Sequence, residues 1–161
     1  MKSHAAQKTR LMVAASEQDA DMLFATKFFA PDPFIFLEQN GRRTLVLSDL
    51  EIDRARKQAE ADEILPYSHF EKEVQGTSRK SPAYEKVLAH FLLTRKVKSA
   101  LVPASFPPGF ARTLAANKIR IEPAGELPRR ARQPPATAAQ RRDRQQQLKC
   151  RPCGHRRQAD R

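Results

Sequence analysis

Residues 34–50, FIFLEQNGRRTLVLSDL, constrain the fold more than any other stretch of the chain. Two runs rich in Phe, Ile, Leu, Val and Thr, residues 34–38 and 43–48, are separated by Asn40-Gly41. Asn and Gly tolerate positive φ at both central positions of a type I′ turn, so the pattern predicts a β-hairpin with a two-residue turn. Because the first run is apolar at successive positions, it predicts an interior strand that is covered on both faces.

Further secondary-structure signals follow the hairpin. Ser48-Asp49-Leu50-Glu51 has the Ser-x-x-Glu pattern of a capping box, which predicts a helix over residues 49–61. Residues 68–80 are polar and are predicted to be irregular. Residues 21–26 are compatible with a strand or a helix, because their periodicity does not decide between the two. Short strands are predicted over residues 11–15, 63–67, 100–104 and 119–122.

The strongest helix signal begins at Ser81-Pro82, with Ser at the N-cap and Pro at the first helical position. It predicts a helix over residues 82–96 with a continuous core-facing stripe, formed by Tyr84, Val87, Leu88, Phe91 and Leu92. A shorter helix is predicted over residues 110–116. Phe110 and Leu114 are predicted to face inward in this helix. Asn117 is predicted to be its C′ residue.

This order of elements predicts an α/β fold, a single layered domain with a mixed sheet and flanking helices. The hairpin is expected to be antiparallel and the later strands parallel. We expect the domain over residues 10–127, after a frayed N-terminus at residues 1–9. Residues 128–161 contain no Val, Ile, Phe, Tyr or Met and a single Leu. They are predicted to form a disordered basic tail, because they cannot bury enough apolar surface to offset the entropy of ordering.

The formal charge of +12 belongs mainly to this tail. Residues 1–127 hold 19 Lys and Arg against 16 Asp and Glu, whereas residues 128–161 hold 11 against 2. The basic composition is therefore no evidence that the folded part binds nucleic acid. Two origins of the tail stay open. It is either a genuine basic tail or the result of a shift of reading frame near residue 128. We favour the frame shift, because out-of-frame GC-rich coding sequence tends to encode Arg, Pro, Ala and Gln.

The sequence also bears on the cellular compartment. No run approaches the roughly 20 apolar residues that cross a bilayer, and residues 1–10 lack the apolar region of a secretory signal. Both cysteines, Cys150 and Cys153, lie in the tail, which argues against a disulfide framework. We therefore expect a cytoplasmic protein with no membrane contact.

Candidate metal ligands are few and poorly spaced. Cys150, Cys153 and His155 form the one metal-like pattern, but a structural zinc site needs four ligands, usually in two separated pairs. We interpret this pattern as accidental. The histidines that precede the tail are His4, His69 and His90. They have no partner at a useful spacing in the sequence and are interpreted as surface or boundary residues.

The acidic residues and the tail arginines also have ordinary explanations. Three carboxylates lie in the first turn of a predicted helix, where the helix dipole favours negative charge, namely Asp49, Glu51 and Asp53. Asp19 and Asp21 are predicted to be turn and cap residues. The tail arginines could contact a polyanion weakly, but no aromatic residue is interleaved to stack on bases. They are Arg129, Arg130, Arg132, Arg141, Arg142, Arg144, Arg151, Arg156 and Arg157. No catalytic, cofactor-binding or metal-binding residue is predicted.

One segment carries a resemblance to a known family. Asp21-Met22-Leu23-Phe24-Ala25-Thr26-Lys27-Phe28 resembles the Asn-Ile-x-Tyr-Leu-Thr-Gly-Phe segment near the start of the creatinase, prolidase and Xaa-Pro aminopeptidase superfamily. Thr26 and Phe28 match it, Phe24 stands for Tyr, and Lys27 departs from the usual Gly. The order of the hairpin, helices and strands over residues 10–127 is also similar to that family.

The resemblance implies a function for the parent protein rather than for this chain. It implies a mixed α/β N-terminal domain that is not catalytic and that shapes substrate access and homodimer contacts. In the family, a later domain hydrolyses peptides with two divalent metal ions, such as Mn or Co, held by two Asp, a His and two Glu. No residue here matches a metal ligand of that kind. We therefore expect a non-catalytic N-terminal domain, truncated before the catalytic domain, that is inactive by itself and holds no cofactor. The alternative is a small cytoplasmic α/β module whose basic tail binds nucleic acid or another polyanion without specificity.

Overall fold

The computed structural model of the protein describes residues 8–124. Its strands are β1 (Arg10–Ala14), β2 (Phe34–Gln39), β3 (Arg42–Leu47), β4 (Glu63–Pro66), β5 (Ser99–Val102) and β6 (Arg120–Pro123). Its α-helices are α1 (Ala20–Thr26), α2 (Ile52–Gln58), α3 (Tyr67–Gln75), α4 (Tyr84–Thr94) and α5 (Pro108–Ala116). The predicted tail and its boundary at residue 128 lie outside the described residues.

The strands form one mixed sheet in the order β4-β3-β2-β1-β5-β6. The central strand β2 is antiparallel to both neighbours, β1 and β3. The pairs β3 with β4, β1 with β5, and β5 with β6 are parallel. Among the described strands, β2 therefore runs against the other five. The predicted α/β class, the mixed sheet and the interior position of the first hairpin strand are confirmed.

The hairpin between β2 and β3 has the predicted turn. Asn40 and Gly41 both adopt positive φ, 52° and 78°, as a two-residue type I′ turn requires. The register continues from Gln39 opposite Arg42 to Ile35 opposite Val46. All residues of β2 except Gln39 are buried, because helices cover both faces of the sheet.

Alternate residues along the strands supply the two cores of the domain. Leu11, Val13, Ile35, Leu37 and Val46 face one side and pack in a cluster with buried residues of α3, α4 and α5. Phe34 faces the other side, where its ring packs edge to face against Phe28, which follows α1, at 6.0 Å between centroids. Helices α1 and α2 belong to this second layer.

Residues 21–26, which were compatible with a strand or a helix, belong to α1. One helical segment differs from the sequence predictions. Residues 67–75, predicted to be mostly irregular, form α3, because Phe70 is buried and packs against Phe91 with ring centroids 5.0 Å apart. Tyr67, Phe70 and Val74 lie at i, i+3 and i+7, an amphipathic pattern that the polar composition of this stretch conceals.

Three predicted caps are wrong. Ser48 makes no side-chain cap, and a short 3₁₀ helix (Asp49–Glu51) precedes α2. The Glu51 carboxylate instead accepts a hydrogen bond from Arg54 at 2.7 Å, so it is not free to reach back to residue 48. Helix α4 begins at Tyr84 with Ala83 as its N-cap, two residues later than Ser81-Pro82 predicted. After α5 the left-handed residue is Lys118, while Asn117 stays at φ −91°.

No α-helix over residues 8–124 is long and apolar enough to cross a membrane.

Candidate functional site

A cavity of about 560 Å³ opens at the carboxyl edge of β1 and β5. We call it the aromatic cavity and define it by Ala14, Gln18, Asp19, Tyr84, Phe106 and Phe110 together with the apolar residues around them. Because β1 and β5 are adjacent and parallel, their carboxyl ends lie at the same edge of the sheet. The cavity is built where these two ends meet.

The connections that leave β1 and β5 explain why a crevice forms here. The chain after β1 passes through α1, in the layer that contains Phe28 and Phe34. The chain after β5 passes through α5, in the layer of α3 and α4. In open α/β sheets, ligands bind outside the carboxyl ends of adjacent strands whose connections leave on opposite faces. The position of the cavity therefore makes it the candidate site of this domain.

Three rings line one wall of the cavity, and a fourth ring, that of Tyr67, stacks on Tyr84 outside the lining. Tyr84, the first residue of α4, stacks on Tyr67 with centroids 4.9 Å apart and an angle of 16° between the rings. Phe110 of α5 lies 5.7 Å from Tyr84 and 5.9 Å from Phe106. Ring pairs prefer such stacked and tilted arrangements, so this wall is mainly apolar.

The Tyr84 hydroxyl is the unusual polar group of this wall. Its oxygen is buried and, within residues 8–124, has no hydrogen-bond partner. Leaving a buried polar group unpaired costs roughly 1–3 kcal/mol, and native structures rarely contain such groups without a reason.

Tyr84 and its stacking partner Tyr67 both stay protonated near neutral pH. Burial, followed by the negative charges of Glu71 and Glu85, raises the pKa of Tyr67 from 10.0 to about 12. Burial, followed by the neighbouring Tyr67, raises the pKa of Tyr84 further above its ordinary value. The Tyr84 hydroxyl is thus a proton-bearing donor at neutral pH and cannot serve as a base.

The remaining lining carries little charge. Among the described residues that line the cavity, Asp19 is the only charged one. Its Oδ1 accepts a hydrogen bond from the Met22 N–H at 2.8 Å, so Asp19 is the N-cap of α1.

The histidines that the sequence left without partners do meet a partner. The Nε2 atom of His90 lies 2.8 Å from Glu73 Oε2, and the Nε2 atom of His69 lies 3.5 Å from Glu73 Oε1. The interpretation that they have no partner is therefore wrong. The pairing of Glu73 with His90 joins α3 to α4 over 17 residues of sequence, which no local spacing reveals. His4 lies outside the described residues.

The acidic residues singled out in the sequence serve local structure. Asp49 accepts a hydrogen bond from the Ser68 hydroxyl at 3.0 Å, and Glu51 pairs with Arg54. Asp53 lies 3.7 Å from Arg56, and Asp21 lies in the first turn of α1. In the part of the chain that the structure describes, no three His, Cys, Asp or Glu side chains are arranged to hold a metal ion. Cys150, Cys153 and His155 lie outside it.

The aromatic cavity was missed at the sequence level. Tyr84 and Phe110 were predicted only as core residues, and Phe106 as part of a turn. These residues come together only because β5 pairs with β1, and no short sequence pattern predicts the order of strands in a sheet.

The fold is one found in proline-specific peptidases. An Xaa-Pro dipeptidase from Bacillus anthracis has a TM-score of 0.53 at 10% identity, covering 73% of this chain and 29% of that one. An X-Pro aminopeptidase from Thermotoga maritima has a TM-score of 0.51 at 12% identity, covering 71% of this chain and 30% of that one. An Xaa-Pro aminopeptidase from Streptococcus pyogenes has a TM-score of 0.50 at 15% identity, covering 73% and 78%.

These similarities confirm the predicted resemblance at the level of the fold. No protein-family model matches the chain, and no curated protein matches its sequence. The chain spans under a third of the Bacillus and Thermotoga proteins and about four fifths of the Streptococcus chain.

Proposed function

We propose that this chain is the non-catalytic N-terminal domain of an Xaa-Pro aminopeptidase or prolidase-like metallopeptidase, separated from the metal-binding domain. Two kinds of support converge. The fold is shared with such peptidases. The segment of residues 21–28 also resembles the superfamily in sequence. In that setting, the domain shapes substrate access and dimer contacts, and a separate metal-binding domain carries out hydrolysis.

The conformation of that segment is the observation that carries the proposal. Thr26 and Phe28, the two residues that match, are both fully buried. The Thr26 hydroxyl donates to the Met22 carbonyl oxygen at 2.8 Å, and the Phe28 N–H donates to the Thr26 hydroxyl at 3.3 Å. Between them, Lys27 adopts φ 52°. The superfamily segment has Gly at this point, and Gly is the residue that adopts positive φ most readily.

The resemblance therefore extends from the matching residue types to the backbone conformation that they adopt. A left-handed residue ends α1, a threonine hydroxyl secures the chain on either side of it, and the following phenylalanine enters the core. Thr26, Lys27 and Phe28 each occupy the place that suits the corresponding Thr, Gly and Phe of the superfamily segment. Lys27 fills the left-handed position at a conformational cost that Gly would avoid.

A peptidase assay tests the proposal. We expect the purified 161-residue chain to release no N-terminal residue from an Xaa-Pro dipeptide or tripeptide in the presence of Mn²⁺ or Co²⁺. Release that a chelator abolishes would show that the chain contains its own catalytic centre. The coding sequence provides a second test, through translation of the two neighbouring reading frames downstream of codon 127. A continuation that contains Asp, His and Glu ligands would support the peptidase proposal.

The alternative, a polyanion-binding module, makes a different prediction for the same preparation. Binding of heparin or single-stranded DNA by the full chain, with an affinity that falls steeply as salt rises, would favour the basic tail as the functional part. Under the peptidase proposal, we expect any such binding to be weak and independent of base sequence.

A further inference from the structure

We infer that a second cavity, at the amino edge of β5 and β6, binds the polyphosphate group of a small molecule. We call it the basic cavity and define it by Lys96, Lys98, Lys118 and Arg120, with Leu93 beside them. The inference rests on this cavity alone. It depends neither on the peptidase proposal nor on the charge of residues 128–161.

The connection from α4 to β5 supplies two of the four cations. The Val97 N–H donates to the Leu92 carbonyl oxygen at 2.9 Å, and the Lys96 N–H donates to the Leu93 carbonyl oxygen at 2.9 Å. With φ of 56° at Lys96, these two hydrogen bonds form the Schellman motif that ends many helices. The motif places Lys96 at the helix end and turns the chain through buried Val97 to Lys98.

The connection from α5 to β6 repeats this arrangement. The Ile119 N–H donates to the Leu114 carbonyl oxygen at 3.0 Å, and the Lys118 N–H donates to the Ala115 carbonyl oxygen at 3.0 Å. Lys118 has φ of 60°, so it takes the left-handed place that Lys96 takes after α4. Arg120 follows buried Ile119. The second Schellman motif therefore presents the same order of cation, buried aliphatic residue and cation.

The pairing of β5 with β6 brings the two connections together. The strands are parallel neighbours with Ser99 opposite Arg120, and the Arg120 N–H donates to the Lys98 carbonyl oxygen at 2.9 Å. Neighbouring strands lie about 4.8 Å apart. The two pairs of cations therefore meet at one edge of the sheet, where all four line the same cavity.

The four cations are accessible and lack countercharges. All four residues are exposed, so a ligand in the cavity reaches their charged groups. No Asp or Glu is among the described lining residues. Within residues 8–124, none of the four forms an ion pair with a carboxylate. Like charges that lie close together repel each other, and a bound anion relieves this repulsion.

The helix dipole explains only part of this arrangement. A helix carries about half a negative charge at its C-terminus, which favours Lys96 and Lys118 at the ends of α4 and α5. Lys98 and Arg120 lie beyond the helices, where the strands begin. The positive charge of the four side chains exceeds the negative charge of the two helix ends, so the cavity favours an anion.

The density of positive charge favours a polyphosphate group over an acidic peptide. Lys binds phosphate as a point charge, and Arg adds a fork of N–H donors. A polyphosphate group places several negative charges in a small volume, whereas an extended peptide spaces its residues roughly 3.3 Å apart and points them to alternate sides. The cavity volume of about 740 Å³ lies within the roughly 300–1,000 Å³ of small-molecule sites.

The test titrates the full-length chain with sodium tripolyphosphate and follows amide chemical shifts in ¹H–¹⁵N NMR spectra. The titration uses about 0.15 M salt, at which charges more than roughly 8 Å apart are largely screened. We expect saturable shifts at residues 96–99 and 117–120, and roughly tenfold weaker binding of inorganic phosphate there. Shifts in residues 128–161 report any binding to the tail separately. If tripolyphosphate causes no saturable shifts at residues 96–99 and 117–120, the proposal is wrong.

Two double variants with equal loss of charge provide a matched pair. Lys98→Gln with Arg120→Gln removes half of the cations of the cavity, and we expect tripolyphosphate to bind about tenfold more weakly. Lys57→Gln with Lys72→Gln removes two exposed cations outside the cavity, and we expect a change below about twofold. Equal weakening in both would mean that the net charge of the chain attracts the anion, and would overturn the proposal.

A third double variant separates charge from backbone conformation. Lys96→Gly with Lys118→Gly removes two cations but keeps the left-handed positions, which Gly adopts more readily than Lys. We expect this variant to melt no earlier than the unmodified chain and to bind tripolyphosphate about tenfold more weakly. Unchanged binding in this folded variant would contradict the role of the two helix-end lysines.

Three further probes identify the source of the polyphosphate group. Tighter binding of ATP than of tripolyphosphate would assign a nucleotide, whose organic part has the half-exposed Leu93 beside the cations. Equal binding would assign a free polyphosphate. Adenosine should cause no saturable shifts at residues 96–99 and 117–120. A short glutamate peptide that binds there as tightly as tripolyphosphate would overturn the assignment of a polyphosphate ligand.

Discussion

One face of the sheet is covered by α3, α4 and α5, and the other by α1 and α2, which have seven residues each. The first face uses side-chain packing. Phe70 and Phe91 lie ring to ring, and Val87, Leu88, Leu92 and Leu114 join them in one buried cluster. This face obtains its stability from a continuous apolar stripe on a long helix.

The second face adds buried hydrogen bonds to its apolar packing. The Ala30 N–H donates to the Ser16 hydroxyl at 2.7 Å, and the Thr26 hydroxyl donates to the Met22 carbonyl oxygen at 2.8 Å. Leu23, Phe24 and Phe29 remain 38%, 50% and 51% exposed. A seven-residue helix cannot present a long apolar stripe, so specific polar contacts fix the segments around it. The two faces therefore respond to different kinds of substitution.

The largest effect is expected on the packed face. Phe91→Ala removes a fully buried ring between α4 and α3, and truncation of a buried Phe typically costs about 3–5 kcal/mol. We expect the free energy of unfolding, measured by urea denaturation, to fall by this amount. Leu93→Ala on the same helix is the control, because Leu93 is 48% exposed. Comparable losses in both variants would contradict the assignment of the buried face.

An intermediate effect is expected on the hydrogen-bonded face. Ser16→Ala leaves the buried Ala30 N–H without the acceptor that it has at 2.7 Å, and an unpaired buried group costs roughly 1–3 kcal/mol.

Ser68→Ala is the control for the hydrogen-bonded face. It removes an exposed hydrogen bond to Asp49, so its effect on the free energy of unfolding should stay within about 0.5 kcal/mol. If Ser16→Ala is no more destabilising than Ser68→Ala, the polar contacts do not hold the second face.

The difference between the faces also explains what the sequence predicts well. The stripe from Tyr84 to Leu92 spans more than two helical turns, so its period identifies the face that it buries. Asn40-Gly41 identifies the hairpin because few residues tolerate positive φ twice in succession. In contrast, residues 21–26 make up fewer than two turns, and the hydrogen bonds that fix them come from residues before and after the helix.

The aromatic cavity and the contact between Glu73 and His90 could not be predicted for a related reason. Both are formed by residues from separate elements, which come together only once the strand order and helix positions are known. Phe106 reads as part of a Pro-Pro-Gly turn, and only the pairing of β5 with β1 brings it beside Ala14. Local sequence patterns predict elements and their buried faces, whereas the candidate site is a property of the topology.

The smallest effect is expected at Glu63, where the sheet edge meets the end of α4. The Glu63 carboxylate lies 2.8 Å from Arg95 and accepts a hydrogen bond from the Thr44 hydroxyl at 3.2 Å. The hydrogen bond from Arg95 is the main cause that lowers the pKa of Glu63 below 4.5, although partial burial opposes it. Because this ion pair is partly exposed, we expect Glu63→Gln to cost less than about 1 kcal/mol at pH 7.

The pH dependence of that small loss is the sharper test. A carboxyl group whose pKa is lower in the folded state stabilises the fold above its unfolded pKa, and the stabilisation is lost as pH falls through the folded pKa. The difference in urea midpoint between the unmodified chain and Glu63→Gln should therefore be constant near neutrality and shrink below about pH 4.5. In the Arg95→Gln background, Glu63→Gln should show a smaller midpoint difference that varies less with pH, because the main cause of the lowered pKa is gone. An undiminished difference in that background would mean that Arg95 is not the partner that stabilises Glu63.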